Sequence, residues 1–320
     1  MPKISRRQSL QLLGSGLLAS TLGANAQDYP AKPVTLVVPF AAGSVTDASA
    51  RLFAKEFTRQ LGQSFIVENR PGLVGMRLVK AAPADGLTLL WHSGAATVAQ
   101  TMLSKPDFDI RRDFSPIGCA FQLTLGLHVR SDLNISTYKQ FIEYAKKNPG
   151  KLNYSTAGIG SVPHLAVEML RSKAGIEVVH IPYKGGSSVP ASILSGEADF
   201  LAWDPAVRSL FKDKARTLAL FSKVRSPAYP EIPTMVEEGG PLIEAAVWYA
   251  LFAPANTPTT IVTKMNLAMK QALESPDIVN FMKTNGYVST WAPAEEFRKQ
   301  IANEVTQWTE AVRVAKVPLQ

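Results

Sequence analysis

Hydroxyl-bearing and small residues recur in three loops, each following a strand-like apolar run and leading into a helix-like one. They fall at residues 36–47 (LVVPFAAGSVTD), 152–164 (LNYSTAGIGSVPH) and 178–190 (VVHIPYKGGSSVP). Each loop aims backbone N–H groups and hydroxyls at one spot. A helix N-terminus attracts anions because its first amides lack intrahelical partners and its dipole end is positive. The chemistry is that of holding a small carboxylate.

Catalysis fits the same residues poorly. Ser161 and His164 stand one helical turn apart, and with Asp47 or Asp204 they suggest a serine hydrolase as an alternative. Yet Gly158-Ile159-Gly160-Ser161-Val162 lacks the glycine that follows the serine by two positions in a nucleophile elbow. Gly158 and Gly160 do not make a dinucleotide fingerprint, because Pro163 stands where the third glycine belongs. His92, His128, His164 and His180 have no metal-ligand spacing, and Cys119, the single cysteine, reads as a small buried hydrophobe. No enzyme, catalytic residue, metal or cofactor is expected.

The elements that position the loops alternate between strand-like runs and amphipathic helical stretches, the pattern of an α/β protein with mostly parallel sheets flanked by helices. After the first loop, Ser44 and Asp47 are spaced as a capping box, and Ala48, Leu52, Phe53, Phe57 and Leu61 recur at helical intervals. A second helix has Ser161 as its cap, Pro163 in its first turn and a stop near Gly175. Two more periodic helices cover residues 259–274 and 294–314. Strand-like runs at 123–129 (LTLGLHV) and 246–253 (AVWYALFA) lack turn chemistry and read as crossings between lobes. The expected organisation is an export signal at 1–26, one lobe from 27–125 plus 250–320, and a second from 126–249.

The first 26 residues carry Lys3, Arg6 and Arg7, an apolar stretch at 10–22 and the small-x-small sequence Ala24-Asn25-Ala26. This is the layout of a cleaved export signal and implies a periplasmic protein. Ser5-Arg6-Arg7-Gln8-Ser9-Leu10 also fits the twin-arginine version. The formal net charge is +8, and +5 once those three bases are removed. The remaining bases are dispersed, which favours anionic ligands over nucleic acid. The longest later apolar run, 245–254, is too short to insert in a membrane.

An ordered set of stretches resembles the periplasmic solute receptors of tripartite tricarboxylate transporters, the Bug receptors. They are YPAKPVTLVVPF (29–40), Thr46-Asp47, VENRPG (67–72), PGKLNYSTAGIGSVPHLA (149–166), VHIPYKGG (179–186), IPTMVEEG (232–239) and WYALFAPANTP (248–258). The resemblance implies a two-lobed Venus-flytrap receptor that closes over a small organic acid and delivers it to membrane permease subunits. It places Phe40, Ala42, Ser44, Thr46, Asp47 and Ser93 on one jaw, and Thr156, Gly160, Ser161, His164, Tyr183, Gly185 and Asp204 on the other. Ser44 and Thr46 are expected to donate to one carboxylate end, and Ser161 with the amides around Gly160 to another. Hydrogen bonds to a charged group contribute roughly 1.5–3 kcal/mol each, and a micromolar complex needs only about 8 kcal/mol net. A few such donors suffice without a buried arginine.

Several of these residues have a structural role as well as a binding one. Asp47 is suited to cap a helix, and His164 to sit neutral and hydrogen-bonded in a first turn, where a charged ring would oppose the dipole. Asp204 repels a carboxylate unless water intervenes. The chain also departs from the family pattern. Ala41-Ala42-Gly43-Ser44 stand where two prolines and two glycines are usual, and the glycine-rich stretch after VENRPG is shortened to Leu73-Val74-Gly75-Met76-Arg77. Trp91-His92 and Ala202-Trp203-Asp204 are also unusual. A tryptophan facing the cleft implies an aromatic ligand or a tight pocket; otherwise it packs in the core. An orphan receptor presenting its closed form to a membrane sensor kinase is the alternative output, and neighbouring genes would separate the two.

Overall fold

In the computed structural model, which describes residues 29–183, 186 and 188–319, the alternating segments form two mixed sheets flanked by helices. The export-signal reading at 1–26 and the ligand assignment of Gly185 lie outside the described residues.

The first lobe opens with β1 (Val34–Val38), α1 (Val45–Leu61), β2 (Phe65–Asn69), α2 (Leu73–Ala81), β3 (Thr88–Ser93) and α3 (Ala95–Met102). β1 pairs in parallel with both β2 and β3, so all three strands end on the same side. α1 starts as its sequence dictates. Ser44 is extended, its Oγ accepts from Asp47 N at 3.2 Å, and Gly62 ends the helix in the left-handed region at φ 72°. Phe53 and Phe57 are fully buried on its inner face, each burial favouring the folded state by about 1.5–3 kcal/mol.

β4 (Phe114–Thr124) leads out of this sheet and β5 (Gly126–Arg130) into the other. The second lobe continues with α4 (Tyr138–Lys147), β6 (Asn153–Thr156), α5 (Val162–Ala174), β7 (Val179–Pro182), α6 (Val189–Ser195), β8 (Phe200–Trp203), α7 (Arg208–Phe211) and β9 (Ala215–Leu220). α5 has the expected Ser161 cap, Pro163 in its first turn and Gly175 as a left-handed stop. The chain returns through β10 (Ala246–Pro254), and α8 (Thr259–Ala272), α9 (Pro276–Thr284), β11 (Val288–Ser289) and α10 (Ala294–Ala315) complete the first lobe.

Strand orders are β11-β4-β10-β3-β1-β2 and β7-β6-β8-β5-β9. Against the expectation of mostly parallel sheets, pairing is parallel only where helical crossovers join neighbours. It is antiparallel where strands at the crossings enter: β10 against β3 and β4, and β5 against β8 and β9. Alternation of elements reveals crossovers, but not the direction of a strand arriving from the other lobe. No helix among the described residues is long and apolar enough to cross a membrane.

Candidate functional site

The strands β1 and β3 of the first lobe and β6 of the second run into the loops expected to bind, and a cleft of about 490 Å³ lies between them. Phe40 and Ser93 line it from the first lobe, Gly160 and Ser161 from the second. Ala42, Ser44, Thr46, Asp47, Thr156, His164, Tyr183 and Asp204 are not on this lining, and the side chains of Ser44, Asp47, Thr156, His164, Tyr183 and Asp204 each have a hydrogen-bond partner in their own lobe.

In the first jaw, Asp47 is buried and works as a clamp. Its carboxylate accepts from Gly43 N (2.9 Å), Asn69 Nδ2 (2.9 Å) and Arg51 Nε (3.1 Å). Burial opposes ionisation, but the Arg51 hydrogen bond and the other donors together hold its pKa below the usual carboxylate range. The loop 41–43 is thereby fixed while Ala41, Ala42 and Gly43 stay exposed. Gly43 has φ 81°, a conformation that excludes most side chains. Ser44 is half-buried; its oxygen accepts from the helix, and its proton has no acceptor among the described residues. Thr46 is buried beneath the loop. Phe40 meets the edge of His92, ring centroids 5.1 Å apart. Burial pushes the His92 pKa down to about 4, so the ring is neutral.

In the second jaw, the loop 156–161 is held by its own side chains. Thr156 Oγ1 pairs with His180 Nε2 at 2.7 Å and accepts from Gly158 N at 3.2 Å. Ser161 Oγ donates to Gly158 O at 2.8 Å and accepts from His164 N. Gly160 N donates to His164 Nδ1 at 3.1 Å, which places the ring proton on Nε2. His164 stacks on His180 at 4.2 Å, and His180 on Tyr154 at 4.7 Å. Burial depresses both histidines to about 4, and neutral rings avoid the repulsion that two stacked cations would suffer. His164 and Thr156 thus shape the jaw from beneath. The Gly160 amide and the Ser161 proton, both expected to face a carboxylate, have partners within the loop.

Tyr183 is half-buried and its hydroxyl donates to Glu197. Asp204 Oδ1 accepts from Ala206 N at 2.9 Å and caps a 3-10 turn, Pro205–Val207. Burial pushes the Asp204 carboxyl up to about 6. Trp91 is in the core, its ring 4.6 Å from Phe53 and its Nε1 donating to Ser49 Oγ. Trp203 is half-buried beside Gly186 and Tyr183. Neither tryptophan lines the cleft.

The residues missed by sequence reasoning are the apolar ones: Leu73 and Met76 from α2, Val98 and Met102 from α3, Ile159, and Val247 from β10. Their helical spacing signals only burial, and which face meets another lobe is a tertiary fact. Behind the cleft, Glu304 on α10 accepts from Trp248 Nε1 at 2.7 Å and Thr97 Oγ1 at 3.2 Å, tying α10, β10 and α3 together.

Residues 49–316 match the model of the tripartite tricarboxylate transporter family receptor. The protein BugT of Bordetella pertussis is 30% identical over 309 residues, covering 93% of this chain and 95% of its own. The structure of the periplasmic binding protein BugD superposes with a TM-score of 0.72 at 31% identity, covering 91% of this chain and all of the other. An R. palustris protein solved with adipate gives a TM-score of 0.75 at 28% identity, covering 92% of this chain and all of its own. These are solute-binding proteins rather than enzymes, so the hydrolase alternative falls away. With the family model spanning both lobes, the chain belongs to the receptor family of the tripartite tricarboxylate transporters.

Proposed function

We propose that this receptor works in the periplasm after export, captures a small carboxylate between its lobes, and delivers it to the membrane permease subunits of a tripartite transporter. The observation that carries the reading is the cleft itself, to which Phe40 and Ser93 of one lobe and Gly160 and Ser161 of the other contribute. Helices α3 and α5 begin on its lining, at Ala95 and Val162, and their first-turn amides and positive dipole ends favour an anion. The adipate-bound relative supports the same solute class. Ser93 adds a hydroxyl at the start of α3.

The test is a thermal-shift and calorimetric screen of the purified protein against organic acids and their amides. Binding to the native state raises the melting temperature by mass action. An acid that stabilises while its amide does not supports the reading. Equal responses to acid and amide would refute the carboxylate assignment. Delivery is tested by uptake of the identified acid in cells lacking this chain or either permease subunit, where each deletion is expected to abolish transport.

A further inference from the structure

We propose that the solute is an amphipathic monocarboxylate, one ionised end on an apolar body, with Leu73, Met76, Met102 and Ile159 selecting the body. The inference rests on the inter-lobe cleft being the solute site.

The lining carries it. Leu73 and Met76 come from the first turns of α2, Met102 from the end of α3, and Ile159 from the opposite lobe, so apolar side chains enclose the space from three elements. The polar side chains on the lining are Ser93, Ser161 and His92, and no ionised side chain among the described residues lines it. His92 is buried and turned toward its own backbone, its Nδ1 2.8 Å from Ser93 N. One carboxylate can be met by the Ser93 hydroxyl and the amides that start α3 and α5. A second would leave water for a wall of methyl and thioether groups that holds no counter-charge among the described residues, which is strongly unfavourable. Methionine suits such a wall, because its flexible thioether adapts to the shape of an apolar body.

The experiment is calorimetric titration of the purified protein with acetate, butanoate, hexanoate, octanoate and phenylacetate, with the dicarboxylates malate and adipate, and with hexanamide. Affinity is expected to rise roughly fourfold per methylene buried, until the cleft is full. Hexanoate should bind at least tenfold tighter than adipate, and hexanamide not at all. Malate or adipate binding tighter than every monoacid, or equal binding of all the acids, would overturn the inference while leaving the carboxylate receptor intact. Hexanamide binding as well as hexanoate, or no acid binding, would overturn both.

The variant Ile159→Lys locates the wall. Ile159 is 47% exposed, so the change leaves the core intact. A lysine there should strengthen adipate binding about tenfold and weaken octanoate by a similar factor. Unchanged affinities for both would show that Ile159 does not face the solute and would overturn its assignment.

Discussion

Met102, at the end of α3 in the first lobe, lies against Gly160 in the second. A Cβ built at Gly160 would stand 2.8 Å from Met102 Cγ, and Gly160 holds φ at 77°. Two lobes can meet this closely only because one of them offers a backbone without a side chain.

Gly160→Ala therefore has two separable consequences. The left-handed backbone costs about 1 kcal/mol of stability for a residue with a Cβ. The methyl group also pushes against Met102, so solute affinity is expected to fall about tenfold or more by calorimetry. Adding Met102→Leu, which trims the thioether reach, should recover part of the affinity and none of the backbone strain. Unchanged affinity in Gly160→Ala would separate this contact from binding.

The Asp47 clamp makes a different prediction, because it fixes the first jaw without lining the cleft. Removing a buried carboxylate that accepts from Gly43, Asn69 and Arg51 strands those donors. Asp47→Ala is expected to lower stability by about 2 kcal/mol and to weaken solute binding by loosening residues 41–43. Asp47→Asn keeps the shape and should retain most of the affinity. Denaturant titration beside calorimetry distinguishes the two effects, and an Asp47→Ala protein with native affinity would show that jaw rigidity is irrelevant.

Acid sensitivity follows from the histidines. Burial holds His92, His128, His164 and His180 near 4, whereas unfolded imidazoles titrate near 6.5. As pH falls from 6.5 toward 4, the unfolded chain takes up protons that the folded chain refuses, so stability falls, by about 1 kcal/mol per histidine at pH 5.5. Asp204 has the opposite sign. Its folded pKa is raised to about 6, so it destabilises above that pH and the penalty fades on acidification toward the unfolded value. The melting temperature is expected to drop between pH 6.5 and 4.5. Asp204→Asn should raise it at pH 7 and leave it unchanged at pH 3.5. A flat profile would contradict neutral histidines under the second jaw.

The parts of this molecule legible from sequence are those written in local chemistry. Ser44 and Ser161 cap their helices, Gly62 and Gly175 end them, and α8 and α10 lie where their apolar periodicity places them. What stayed hidden depends on contacts between distant segments. Asp47 was readable as a first-turn acid, but its Asn69 partner arrives from β2. Trp91 is equally apolar whether it faces the cleft or Phe53, and only the packing of α1 on β3 decides for the core. The spent proton of Ser161 follows from the fold of the 158–161 loop, which a serine before a helix does not reveal.

A second cross-lobe contact joins Tyr229, which precedes the return crossing, to Gly286 before β11. The Tyr229 hydroxyl occupies the position a side chain at Gly286 would fill, and the Arg208 guanidinium sits 4.9 Å from the centre of the Tyr229 ring. This contact shares no residue with the lining of the solute cleft. Any effect of Tyr229 on binding must therefore act through the approach of the lobes. A ligand shifts closure only by its differential affinity for the two states, so destabilising the approached state weakens binding without touching the solute. Tyr229→Ala is expected to lower affinity about fivefold, and to enlarge the solute-bound protein in small-angle scattering relative to wild type. Tyr229→Phe keeps the ring beneath Arg208 and should lie between them. Native affinity and unchanged dimensions in Tyr229→Ala would show that the Tyr229–Gly286 contact does not govern the approach of the lobes.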